Sequence, residues 1–144
     1  MKYLLLVLAL TLSCVTPTGS SPGRVGSTVG GPVFRAPLNP VTGNNATVTV
    51  FDTTVAPVFP LPERLAVTCR FDQAVTILYQ VERLGSSTWR TVNGSGDAVT
   101  ANTDFFIDYL VQGPNNRIQV VTGSTGPTVA EINVAPIYDR PLAL

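Results

Sequence analysis

The chain holds nine carboxylates and no histidine, and that pairing bounds the chemistry open to it. Histidine is the commonest general base, the usual activator of a serine or cysteine nucleophile, and the commonest transition-metal ligand. Without it the familiar forms of all three chemistries are gone. Among the carboxylates, Asp104 and Asp108 in DFFIDYL are the closest pair within one alternating stretch. On a strand they share a face about 13 Å apart, at about 3.3 Å per residue. That is too far for two carboxylates to work on one substrate, so they read as solvent-facing charges. Asp97 and Asn102 bracket a loop, yet no run of alternating acidic ligands marks calcium there. Gly94, Gly96, Gly113, Gly123 and Gly126 fall in turns and not ahead of a helix, which argues against a phosphate loop. Cys14 and Cys69 are too few for a disulfide framework, and no CxxC or Cys/His spacing suggests zinc. The expectation is a protein that is not an enzyme, with no catalytic, cofactor-binding or metal residues and no cofactor.

Nine basic residues balance the nine acidic ones for a formal charge of zero. Nucleic acid demands a basic stripe that releases counterions, and the scattered arginines form none, so nucleic acid is not an expected partner. Asn45-Ala46-Thr47 and Asn93-Gly94-Ser95 fit the glycosylation sequon, which matters only in a eukaryotic secretory route.

The elements that would position any site are strands. Leu65, Val67, Cys69 and Phe71 alternate with Ala66, Thr68 and Arg70, and Val75, Ile77, Tyr79 and Val81 alternate with Thr76, Leu78, Gln80 and Glu82. This is a two-residue period written twice, and with Asp72-Gln73-Ala74 as hinge it reads as a hairpin. After the polar turn Leu84-Gly85-Ser86-Ser87, Trp89 opens a short strand over 88–92 and is expected in or beside the core. Residues 46–51 read as the first strand, and 55–62, with Pro57, Pro60 and Pro62, as an irregular crossing. Asn93-Gly94-Ser95-Gly96 is a tight turn before a brief continuation over 97–100. Three more strands follow: 104–110 with Phe105, Ile107 and Tyr109 inward, 117–121 with Ile118 and Val120 inward, and 129–134 with Ala130, Ile132 and Val134 inward. Arg117 is expected to pair with Asp108 across strands or to sit on an exposed rim.

A sheet with one apolar face needs a second layer, and only strands are available to supply it. Seven to eight short antiparallel strands, with a turn every eight to twelve residues, predict an all-β chain folded as a single immunoglobulin-like β-sandwich. With 144 residues, 44% of them apolar, one domain can bury its own core. An immunoglobulin domain proper pins two strands with a disulfide. Cys69 sits where one half would be, but Ile118 and Val120 occupy the partner strand, so Cys69 reads as a buried small hydrophobe. A Cys14–Cys69 bridge is the alternative if Cys14 is neither removed nor lipidated.

The domain expectation is four segments: 1–14 signal-like and hydrophobic, 15–43 a Gly/Ser/Pro-rich tether and extended arm, 44–137 the sandwich, and 138–144 a tail. Lys2 followed by an apolar run to Leu12 has the form of an export signal too short for a comfortable membrane span. Ser13-Cys14 after it resembles a bacterial lipoprotein cleavage site, although Thr11 stands where Leu is preferred. Lipidation of Cys14 and an ordinary cut nearby are both open, and the first implies membrane association through the N-terminus. The tether buries little and is expected to be mobile on its own. The stiffer stretch 32–40, PVFRAPLNP, carries Val33, Phe34 and Leu38 as candidate partner contacts along a neighbouring surface; the plain alternative is a linker with incidental apolar residues.

Phe71-Asp72-Gln73, then Gly85-Ser86-Ser87-Thr88-Trp89, then Phe105-Phe106-Ile107 and Arg117-Ile118-Gln119-Val120 together resemble a pattern of immunoglobulin-like domains in virion proteins of tailed phages and their relatives. The likeness covers residues 65–134, roughly half of the chain. It implies a capsid decoration, spike or fibre-associated role in the virion, carried by contacts with other virion or surface proteins and open to oligomer formation. An export signal sits awkwardly with a virion assembled in the cytoplasm. The second expectation is therefore an exported lipoprotein or adhesion module at the cell surface, tethered through Cys14.

Overall fold

The alternating stretches bury nearly all the residues their period singles out: Leu65, Val67, Cys69 and Phe71 on one, and Val75, Ile77 and Tyr79 on the other, are within the core, while Val81 is only partly buried against it. The computed structural model describes residues 34–138, which form eight strands and no helix. These are β1 (Thr47–Asp52), β2 (Arg64–Phe71), β3 (Val75–Arg83), β4 (Thr88–Thr91), β5 (Asp97–Val99), β6 (Phe105–Leu110), β7 (Asn116–Thr122) and β8 (Ala130–Ile137). One sheet runs β1-β7-β3-β4 with β5 also on β3, and the other runs β6-β2-β8. Every pairing is antiparallel. The buried residues of the two sheets form one cluster, so the chain is an all-β sandwich.

The expected hairpin is absent. β2 pairs with β6 and β8, whereas β3 pairs with β4, β5 and β7. Asp72-Gln73-Ala74 is thus a corner that carries the chain from one sheet to the other, and the two apolar faces meet across the core. Alternation says which side chains turn inward; it is silent on which strand lies alongside. The corner is held by distant residues. The Asp72 carboxylate accepts the Thr128 N–H at 3.0 Å and its hydroxyl, the Asp72 N–H donates to the Val129 carbonyl, and the Asn102 N–H donates to the Phe71 carbonyl at 2.7 Å.

The pairs β2–β6 and β3–β7 match the B–E and C–F pairings of an immunoglobulin sandwich. The outer strands are exchanged relative to that scheme, since β1 lies beside β7 and β8 beside β2. Pro136 lacks an N–H, and it is tolerated in β8 because β8 is an edge strand.

β5 does continue the β4 edge along β3. Between them the Asn93 side chain stands in for the missing rung: its Oδ1 accepts the Tyr79 N–H at 3.1 Å and its Nδ2 donates to the Ile77 carbonyl at 3.0 Å. Gly96, at φ +99°, lets the chain press back onto β3; a Cβ there would lie 2.9 Å from the Ile77 carbonyl oxygen.

Trp89 is not in the core. Its register partner is Glu82, which puts it on the outer face of the five-stranded sheet, half-buried. Arg117 stacks on it with the guanidinium 4.2 Å from the ring centroid, while its Nε donates to Gln80 Oε1 at 2.6 Å. Arg117 therefore does not pair with Asp108, which instead accepts from Arg64 at 2.9 Å. The two residues lie on different sheets.

No disulfide pins the sheets among the described residues, where Cys69 is buried and free. Two tyrosines take that role. Tyr79 of β3 stacks on Tyr109 of β6, ring centroids 4.9 Å apart and planes 17° from parallel. The Tyr79 hydroxyl reaches Asn116 Oδ1 at 2.7 Å and the Leu110 carbonyl at 3.1 Å, and the Tyr109 hydroxyl donates to Asp97 Oδ2 at 2.7 Å. Two of these bonds, to Leu110 and to Asp97, cross from one sheet to the other.

Candidate interaction surface

The arm is where apolar side chains meet solvent, and its backbone explains why. Arg35 forms an antiparallel bridge with Val134 on β8, its N–H 2.8 Å from the Val134 carbonyl oxygen. Three residues on, the Leu38 N–H donates to the Val50 carbonyl of β1, and Asn39 Nδ2 donates to the Thr49 carbonyl, each at 2.8 Å. β1 and β8 are edge strands of different sheets, so the arm spans the open flank of the sandwich and satisfies backbone groups on both edges. Val41, 3% exposed, joins the core. The packed unit therefore includes residues before 44, and the arm from Arg35 to Val41 is seated on its own sandwich. Among the expected contact residues, Phe34 and Leu38 remain 60% and 40% exposed. Val33 and the proposed lipidation site Cys14 lie outside the described residues.

The Pro-rich crossing adds to this flank. The Arg35 guanidinium donates to the Pro57 carbonyl at 3.2 Å, which sets the crossing beside the arm. Phe59, two residues further, is 88% exposed, and Val55 and Leu61 are exposed as well. Five of the nine exposed large apolar side chains of the described residues fall between 34 and 61. Val55, Phe59 and Leu61 were not foreseen from the sequence, although a signal was there. Apolar residues among prolines have no ladder to fix them inward, so nothing in the local pattern buries them.

A second apolar feature lies on the outer face of the three-stranded sheet. Phe106 and Leu110 of β6 are each 64% exposed. Phe106 borders a recess of about 280 Å³, shared with Thr68, Arg70, Glu131 and Asn133.

The titratable residues serve the framework. Asp104 is exposed and 3.6 Å from Arg70, and Asp108 is held by Arg64; each is engaged by its own arginine on β2. Asp97 accepts from Asn93 and Tyr109, and no group of three or more His, Cys, Asp or Glu side chains stands together among the described residues. Burial pushes the Cys69 thiol up to about 12 and also raises the Tyr79 and Tyr109 phenols, Tyr109 further because its hydroxyl donates to Asp97. Each of these groups is held in its neutral form. Donation from Thr128 and the backbone lowers Asp72 below the ordinary aspartate value.

Comparison with known proteins adds no relative: no protein-family model matches the chain, and neither a curated protein nor a solved structure does.

Proposed function

We propose that this protein works by presenting surface to other proteins, as a non-enzymatic structural component of a virion of the capsid decoration, spike or accessory type. The observation that carries the reading is the flank built by the arm and the Pro-rich crossing. Backbone bonds at Arg35 and Leu38 fix the arm to both sheet edges while Phe34, Leu38 and Phe59 stay turned to solvent. An apolar surface held on a rigid scaffold loses little conformational freedom when a partner covers it. The test replaces exposed side chains and leaves the backbone bonds alone. Phe34→Ser with Phe59→Ser should leave the melting temperature nearly unchanged and reduce incorporation into particles; undiminished incorporation counts against this flank as the contact.

One sequence observation favours a second reading, an exported lipoprotein or surface adhesion module. Ser13-Cys14 follows the apolar run that ends at Leu12, so lipid on that cysteine would hold the sandwich at a membrane, and the same flank would meet a partner there. Mass spectrometry of the protein from its native source separates the two readings, because diacylation with loss of the preceding residues changes the mass unmistakably.

A further inference from the structure

At the edge of the five-stranded sheet farthest from the arm, a recess of about 520 Å³ opens between the β3–β4 hairpin and the crossing that follows β6; Val81, Arg83, Arg90 and Gln112 are among its lining. Its origin is the unequal width of the two sheets. β6 is the last strand of the narrower sheet, and the bonds from Tyr79 and Asp97 set it against β3 and β5. β4 stands one strand further out than β3, and no strand of the described residues pairs on its outer side. Arg90 is the register partner of Val81, so its side chain leaves the sheet on the core-facing side, and Arg83, two residues from Val81, does the same. Both arginines are exposed. Neither guanidinium has a carboxylate or hydrogen-bond partner among the described residues, in contrast to Arg64, Arg70 and Arg117. Glu82, the one carboxylate on the hairpin, also borders the recess, but its register with Trp89 turns its side chain to the outer face, where its Oε2 accepts from Asn115.

We infer that this recess receives an acidic segment of a partner protein, with Arg83 and Arg90 pairing with its carboxylates. The inference rests on the contact reading above and gives the partner a chemistry. Two unpaired guanidinium groups on adjacent strands suit carboxylates, which they bind in a two-pronged geometry. The partly buried Val81 at the base, and Leu84, 78% exposed at the hairpin tip, offer apolar contact that a bare inorganic anion could not use. The formal charge of zero gives no extended basic field for a polyanion such as nucleic acid.

The test is fluorescence anisotropy with the full chain and a fluorescein-labelled peptide of alternating glutamate and leucine. A peptide of alternating glutamine and leucine serves as control. Saturable binding of the first and not the second is expected, weakening as sodium chloride is raised to about 0.5 M because exposed charge pairs are screened. Arg83→Gln with Arg90→Gln should weaken binding at least about ten-fold, a loss of about 1.4 kcal/mol. Arg70→Gln, on the other sheet, should leave it unchanged. Equal binding of the two peptides, retention of affinity in the double variant, or full displacement by equimolar inorganic phosphate would each overturn the inference. Particles that carry the protein although it binds no acidic peptide would overturn the recess alone. Peptide binding by a protein never found in particles would support the recess and overturn the virion reading.

Discussion

Replacing Tyr79 with Phe removes a single oxygen from the centre of the molecule and tests whether the tyrosine pair holds the sheets together. The ring and its stack on Tyr109 survive the change, so packing is nearly constant. What is lost is a junction: the hydroxyl is 2.7 Å from Asn116 Oδ1, 3.1 Å from the Leu110 carbonyl and 3.3 Å from the Gln112 N–H. Asn116 is 1% exposed, so water cannot readily replace the phenol. A buried polar group left without its partner costs about 1 to 3 kcal/mol. With Asn116 and Leu110 both losing their neighbour, the upper part of that range is expected, about 2 to 3 kcal/mol. Urea unfolding should show the midpoint falling at constant slope, the sign of lost stability without a change in the surface exposed on unfolding. Tyr79→Leu, which also loses the stacked ring, should cost about 3 to 5 kcal/mol. A Tyr79→Phe protein within about 0.5 kcal/mol of the parent would refute the assignment, because ordinary surface substitutions fall in that band.

Trp89→Ala should cost only about 1 to 2 kcal/mol by urea unfolding, the worth of a half-buried ring and one cation–π contact; a loss above about 4 kcal/mol would put Trp89 back in the core. Gly96→Ala should be worse than Gly94→Ala in thermal melts. Both have positive φ, but a Cβ at Gly94 meets open space while one at Gly96 strikes β3, adding to a conformational penalty of about 1 to 3 kcal/mol. Native Cys69 should react with a thiol reagent far more slowly than the unfolded chain, since burial holds the thiol neutral. The same burial sets an alkaline limit. The folded thiol titrates near 12 against an ordinary value of 9.0, so the unfolded chain loses its proton first. This contribution to stability is complete below about pH 9 and is lost as pH rises towards about 12. Raised Tyr79 and Tyr109 act in the same direction, and a midpoint that rises between pH 9 and 11 would contradict this.

Burial was written in the sequence far more clearly than pairing. The inward sets Leu65 to Phe71, Val75 to Tyr79, Ile118 with Val120, and Ile132 with Val134 follow from a two-residue period, because a strand exposes alternate residues to the core whatever lies beside it. The corner at Asp72 was misread because a hairpin turn and a crossover between sheets can share the same polar residues. The difference lies in Thr128 and Val129, more than fifty residues away. Trp89 misled because size and apolarity suggest the core, while its facing depends on register with Glu82 and its cover on Arg117 from a third strand. Phe34 and Leu38, read from the sequence as candidate contacts, are exposed. Their seating on β1 and β8 was not legible, since it arises from backbone bonds that any residue can make.

The most direct test of the virion reading is where the protein resides. Density-gradient sedimentation of material from the native source, with each fraction analysed by intact-mass spectrometry, locates the chain and reports the state of Cys14 together. Co-sedimentation with particles, at fixed stoichiometry and persisting through a wash of moderate salt, is the predicted result. Recovery only with membranes, carrying diacylated Cys14 as the first residue, would contradict it.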